Sequence, residues 1–466
     1  MPHSPLFRPK YSEDFQCIGP ACEDSCCQPW TIHIDQATYE KYRAVPPGPL
    51  RTLLDTNVHR TSEGARALAG PSSAFALIQM STDAKCPLLS ADGLCRVHAE
   101  LGEAYLSHMC ATYPRAPYSI HGEEEKALAL SCPEAARLVL LNPHLPINAG
   151  LQETKAAPCD TDSGSDPWRP HFFAIRDFAL QLVRTRSYPL WQRMFLLGLF
   201  SRRLDDIVPA DLGQKVPQLL AGFTATLASD SLLPAMEALP VDLSQQLDVV
   251  LRLAGIHFNP ANHPPRFVEC LQAFTQGIGN GPGATLDSLT ARYVEVHDRY
   301  YAPFFQAHPH VLENYLINTI FRCRFPFGIE WARNGSAPSM SREFVQLTAL
   351  FTLMKGLLIG VAGYHRQQFS VDHVVHTVQA ASKHFDHHLD FLKNAHALLV
   401  ESGMDGARGL SVLLRNGDSH PRPTAYPANQ PETRSIDSAT DAVLAFDNLA
   451  LPITPATPPH ATTGPV

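Results

Sequence analysis

The sequence predicts a mainly α-helical protein, in which a cysteine-rich N-terminal metal or cluster domain packs on an all-helical C-terminal domain and a proline-rich disordered tail follows. Three observations carry that expectation. Eight of the eleven cysteines fall between Cys17 and Cys132. From His171 onward, apolar residues recur at three- and four-residue spacings with little strand-like alternation. Beyond about Ser419, prolines such as Pro421, Pro423, Pro427 and Pro431 stand among Thr, Ala and Ser, a composition that buries too little apolar surface to order itself.

In chain order, residues 1–147 form the cysteine-rich domain, with many turns and only short apolar runs. Residues 148–170, including the polar run Asp160–Asp166, read as a linker or surface loop. Residues 171–418 are helical: Phe172, Ile175, Phe178, Leu182 and Val183 lie on one face, and similar runs cover Leu190–Leu204, Leu243–Leu253, Leu286–Phe305, Val311–Phe321, Phe344–Val361 and Val371–Leu399. Residues 419–466 are the tail, with a short helix expected around Ala439–Leu451.

At 466 residues, with 45% hydrophobic and 18% charged residues, the chain has ample material for large cores. A net charge of -8 argues against a broad electrostatic grip on nucleic acid or anionic lipid. The N-terminus has no apolar run resembling a signal peptide. Phe344–Gly363 is long enough to cross a bilayer, but Lys355 sits near its middle, and a buried core helix is the better reading. The expected setting is therefore soluble, reducing and cytoplasmic, with no membrane or nucleic-acid partner. An odd number of cysteines in so large a chain fits thiolate ligands or redox groups better than a disulfide scaffold.

Two cysteine clusters carry the chemistry. The first holds Cys17, Cys22, Cys26 and Cys27; the second holds Cys86 and Cys95, continued by Cys110 and Cys132. Thiolates bind zinc, Cu(I) or iron–sulfur clusters, and the turns at Gly19-Pro20 and Asp92-Gly93 let the chain wrap its ligands around a centre. Eight thiols exceed the four that one tetrahedral metal or one cubane takes, so either two centres exist or some thiols are structural. In extended backbone Cys26 and Cys27 point apart, which makes one of them a core cysteine. His98, three residues after Cys95, is either a zinc ligand or a polar helix-face histidine.

The pattern C-x4-C-x3-CC-x2-W-x-I, followed by CPL-x4-GLC-x2-H-x2-LG and C-x2-YPR, resembles the flagellin lysine-N-methylase family, within a wider group of cysteine-rich zinc- or iron-chelating proteins. The segments Arg186–Phe200 and Glu313–Phe327 look like later signatures of the same family, so the resemblance runs from about residue 10 to about 400. It implies transfer of methyl groups from S-adenosylmethionine to lysine side chains of flagellin, the protein partner. It also implies a [4Fe–4S] cluster on the cysteines, with zinc as the alternative.

Such a transfer is an in-line displacement at a sulfonium methyl by a neutral amine, and the ordinary lysine pKa near 10.4 means the site must desolvate the amine or supply a base. The C-x3-C-x2-C signature of radical enzymes is absent, since Cys27 follows Cys26 directly. A conventional methyltransferase carries a glycine-rich turn after a strand, but Gly277, Gly279, Gly281 and Gly283 follow a helical segment and include Pro282, so a loop between helices is expected. Asn314 and Asn318 fall four apart on an apolar helix beside Glu313; they either hold the donor or lysine, with Glu313 handling a proton, or satisfy buried backbone groups. Tyr113 and Arg115 are cofactor-binding candidates next to Cys110, with a packing tyrosine and a surface arginine as the alternative. His373, His376, His384, His387 and His388 share a helical stretch and read as an exposed polar face rather than a metal site. The rival to a methylase is a non-enzymatic zinc- or iron-binding or delivery protein, for which the cysteine domain suffices; a redox-sensing enzyme is a third, weaker reading.

Overall fold

The computed structural model describes residues 7–27, 32–61, 75–81, 85–120, 122–147, 166–229, 231–256, 264–386 and 390–416. Helices dominate, and the described strands form two small antiparallel sheets. The expected tail, Cys159, Trp30, His387 and His388 lie outside the described residues. The chain divides into two compact units, each assembled from separate stretches of sequence: one from 1–163, 243–325 and 349–398, the other from 164–242, 326–348 and 399–466. Compactness thus groups the chain differently from composition, and the cysteine segment shares its unit with several of the later helices.

In the first unit, the Ala76–Ile78 strand lies between Ile32–Ile34 and Val58–Arg60, with Ile32 and Val58 both opposite Ile78. Their inward residues join Tyr42, Leu50, Leu54, Leu88 and Val97 in a small apolar core, against which Cys27, Cys95 and Cys110 pack. The adjoining helices start where the sequence allows. Asp35 accepts from Thr38 N at 2.8 Å to cap Gln36–Arg43, and Pro49 opens Pro49–Asn57, where its missing N–H costs nothing. A hairpin pairs Arg115–Ile120 with Glu123–Leu128. These strands are three to six residues long, too short for alternation to announce them.

Later helices of this unit pack closely where glycine permits. Gly277 ends the Pro265–Gly277 helix, and a Cβ there would run into the Gly360 carbonyl of the Met340–His365 helix. A Cβ on Gly363 would fall 2.8 Å from Gly277 O, so these helices cross backbone on backbone. Gly279 and Gly283, both at positive φ, sit in the connection to Leu286–Val296, which Thr285 and Ser288 start as a capping box. The glycine run is therefore the expected loop between helices. Met340–His365 is long and apolar enough to cross a membrane by composition, but 94% of its apolar window is buried inside the protein. Lys355 lies within it, and burial lowers its amine to about 7.

The second unit is helical and aromatic. Phe178, Phe200 and Phe223 cluster from the Phe172–Arg184, Leu190–Asp205 and Leu212–Ala228 helices, and Phe172 stacks on Trp331 with ring centroids 5.4 Å apart. The carboxylate of Asp205 accepts from Met340 N at 2.8 Å and Ser341 N at 2.9 Å, capping a helix start from a distant part of the sequence.

Candidate functional site

The cysteines sit on turns and helix starts, where backbone can bend around a centre. At Ser25, the hydroxyl accepts from Cys27 N (3.2 Å), while Ser25 N donates to Asp24 Oδ1 (2.8 Å). That local bonding makes residues 24–27 a turn and not extended chain. The expectation that Cys26 and Cys27 diverge is corrected as a result: their sulfurs lie 3.9 Å apart. Cys86 N donates to Cys27 O at 3.0 Å, so the two sequence clusters meet. The 86–95 turn closes through Gly93 at positive φ and delivers Cys95 as the first residue before the Arg96–Leu101 helix. Ser107 caps His108–Thr112 by accepting from Cys110 N (3.3 Å), and Cys132 precedes Pro133–Leu140.

Electrostatics divides the thiols into two neighbouring groups. A hydrogen bond from Cys27, helped by Lys383, lowers Cys26 to about 7, and the same donor lowers Cys86. Cys27, as the shared donor, is held firmly protonated. Burial raises Cys110 to about 11, and Cys95, Cys86 and Cys26 add to that rise. Burial raises Cys132 to about 12, with Cys22 and Cys26 contributing. Cys26, Cys27, Cys86, Cys95 and Cys110 therefore share one neighbourhood; Cys132 adjoins it through Cys26, Cys22 lies near Cys132, and Cys17 near Cys22. His98 is exposed on its helix.

Among the described residues, no three His, Cys, Asp or Glu side chains converge closely enough to hold a metal ion. The donor chemistry fits a thiophilic metal nonetheless. A tetrahedral site with metal–sulfur bonds of about 2.3 Å has sulfur–sulfur edges of about 3.8 Å, and the Cys26–Cys27 pair, at 3.9 Å, supplies one such edge.

The cysteine turn is bolted to the Val371–Phe385 helix by residues that sequence reading missed. Asp24 Oδ2 accepts from Lys383 Nζ (2.7 Å) and Gln379 Nε2 (2.7 Å), and Lys383 also donates to Ser25 O (2.9 Å). Gln379 Oε1 accepts from Arg266 (2.8 Å), and Arg137 pairs with Glu23. Asp24, lying inside the first cysteine cluster, was the available signal; its partners are more than 350 residues away.

The asparagines prove to be clamps. Asn318 Nδ2 donates to Leu128 O (2.9 Å), while its Oδ1 accepts from Leu128 N (3.3 Å) and the Tyr11 hydroxyl (2.8 Å). Asn314 Nδ2 donates to Val139 O (2.9 Å) and Asn142 O (2.7 Å). Both amides are buried, as is Glu313 just before Asn314, and the amides satisfy main-chain groups of the hairpin, of the Pro133–Leu140 helix and of Asn142. Tyr113 bonds Ser131 Oγ (3.1 Å), and burial, together with the nearby Cys132 and Cys26, holds its phenol well above the usual range. Arg115 is not a free surface arginine: it donates to Phe15 O (2.8 Å) and lies over the Phe15 ring, fixing the N-terminal segment.

The histidines do not form one exposed face, because the Val371–Phe385 helix is mostly buried. His384 is buried against Phe267, with ring centroids 4.2 Å apart. His373 and His376 point to another side, where they join His365, Glu269 and Tyr364 around a cleft of about 270 Å³.

The family described as the FliB lysine N-methylase C-terminal domain matches residues 176–413. The chain is also 35% identical over 136 residues to a flagellar biosynthetic protein FliU of Salmonella muenchen, covering 29% of this chain and 76% of that protein. It is 34% identical over 136 residues to lysine-N-methylases of Salmonella choleraesuis and Salmonella typhimurium, again 29% of this chain but 32% of each relative. No solved structure matches the chain.

Proposed function

Because the chain belongs to the FliB lysine N-methylase family, we propose that it transfers methyl groups from S-adenosylmethionine to lysine side chains of flagellin, and that its cysteines hold a [4Fe–4S] cluster. The observation that carries this reading is the match of residues 176–413 to the family, about half of the chain. In the reaction, the lysine nitrogen lone pair forms the N–CH3 bond while the S–CH3 bond breaks. Sulfur keeps that electron pair and becomes a neutral thioether, and the nitrogen gives up one proton.

Cys26, Cys27, Cys86, Cys95 and Cys110 are the first candidates to hold the cluster, with Cys17, Cys22 and Cys132 beside them; zinc is the alternative occupant. Bound there, the group would cross-link the two cysteine loops. Asp24, Lys383 and Gln379 orient the loop that carries Cys26 and Cys27. The sheets among the described residues are small and antiparallel, so the helical frame, not a glycine-rich strand–helix turn, supplies the surfaces for donor and amine.

The test is incubation of anaerobically purified full-length protein with methyl-labelled donor and flagellin, alongside iron, sulfide and zinc counts. Labelled methyl-lysine and an iron-containing protein are expected. Iron retained without any label transferred would sink the enzyme and leave a metal-binding protein; one zinc and no iron would replace the cluster.

A further inference from the structure

The cleft beside Cys270 has features that the chemistry above leaves unused. It opens to solvent at Glu269 and Tyr364, and its walls come from the Pro265–Gly277 helix, the end of Met340–His365 and the start of Val371–Phe385. It lies wholly within the matched residues 176–413. Glu269 brings a carboxylate, and neither lysine nor arginine lines the cleft. The guanidinium of Arg266, on the same helix as Glu269, is engaged with Gln379 Oε1, and its backbone carbonyl lies 3.3 Å from His376 Nε2.

The imidazoles are set up as neutral groups. His365 and His373 stack with centroids 3.6 Å apart, a separation at which two positive rings repel strongly. Burial and the neighbouring histidines bring His365 down to about 4, and burial lowers His373 and His376. His373 Nδ1 accepts from Ser370 N (3.1 Å), which places the ring hydrogen on Nε2. One carboxylate, uncharged imidazoles and the half-exposed Tyr364 ring make a surface that attracts a cation.

Volume selects among cations. About 270 Å³ is small beside the roughly 300–1,000 Å³ of clefts that enclose a drug-sized ligand, which favours a slender guest over a whole nucleoside donor. A four-carbon stem ending in an amine does, with Ala273 and Val361 as apolar lining.

We propose that this cleft receives the side chain of a substrate lysine, its stem along Val361 and Ala273 and its nitrogen beside Glu269, His373 and His376. The identity of the amine as a protein lysine rests on the methylase reading; the affinity for an alkylammonium group does not.

Two measurements separate them. The full-length protein, isotopically labelled at histidine, is titrated at millimolar concentration with Nα-acetyl-lysine methylamide and with the uncharged Nα-acetyl-norleucine methylamide. The resonances of His373 and His376, assigned with single His→Gln variants, should move with the lysine compound and not with norleucine. Glu269→Gln, a change at an exposed position, should weaken binding about two- to fivefold, as expected for a solvent-facing ion pair. Equal shifts from both compounds, no shifts, or unchanged affinity in Glu269→Gln would overturn the proposal. In parallel, methyl transfer to flagellin by Glu269→Gln and Ala273→Phe should show a raised KM. Transfer with unaltered KM in both variants would remove the cleft and keep the methylase. Lysine-specific shifts in a protein that transfers no methyl group would keep the cleft and remove the methylase.

Discussion

At the scale of single residues, the buried amide of Asn318 shows how a side chain that looks catalytic can be structural. It satisfies both main-chain groups of Leu128 and takes the Tyr11 hydroxyl, so its removal strips the buried Leu128 N–H and C=O of this partner and takes one hydrogen bond from Tyr11. Asn318→Ala should cost about 2–4 kcal/mol of stability, measured by urea unfolding. A cost near zero would mean the pocket refills with water and the clamp is dispensable. The histidines of the cleft set a pH dependence. His365 is lowered to about 4 in the folded chain, against about 6.5 when unfolded. The unfolded state therefore takes up the proton first, and stability is fully present above about pH 6.5 and is lost as pH falls towards 4. Glu269 and Asp372 favour the charged ring and Arg266 opposes it, but desolvation leads for all three histidines. Unfolding midpoints at pH 7 and pH 5 should differ more in the native sequence than in His365→Gln; identical slopes would refute the assignment.

Helices and turns explain what the sequence made legible. The Phe172–Arg184, Leu190–Asp205 and Met340–His365 helices follow from apolar spacing alone, and the glycine run reads as a loop because Pro282 and a preceding helix exclude a phosphate turn. The cysteine chemistry is legible from clustering. The direction of Cys26 and Cys27 is not, since it depends on one hydroxyl, Ser25 Oγ, bending the chain. Nor is the attachment of that turn to the Val371–Phe385 helix, whose residues are separated from it by most of the sequence. The Lys383–Asp24 pair is almost fully buried, with side chains 2% and 10% exposed. Breaking such a pair by Lys383→Met leaves a buried carboxylate and should cost about 3–5 kcal/mol. The loss should appear first as faster alkylation of Cys26 and Cys27 in metal-free protein. Unchanged alkylation rates would show that the turn holds itself.

For the whole molecule, stability and metal content are expected to separate. The apolar cores of both units consist of aliphatic and aromatic side chains, and the small core beside the cysteines includes Ile32, Ile34, Leu50 and Leu54. Chelation of a bound metal should leave far-UV circular dichroism nearly unchanged while opening residues 17–27 to protease. Collapse of the helical signal on chelation would instead make the metal a condition of folding, as in small zinc domains. How the chain groups into units was not legible, because segments 243–325 and 349–398 carry no compositional mark that ties them to the cysteines.

The crossing at Gly277, Gly360 and Gly363 reaches further than packing. It lies one turn from Gln276, Tyr364 and His365, so main chain, not side chain, sets the distance between two walls of the cleft. A guest then meets walls whose backbone spacing is set by the helix crossing, which lowers the cost of ordering them around it. If the cleft takes a lysine, the room around its nitrogen is bounded by that contact between two backbones.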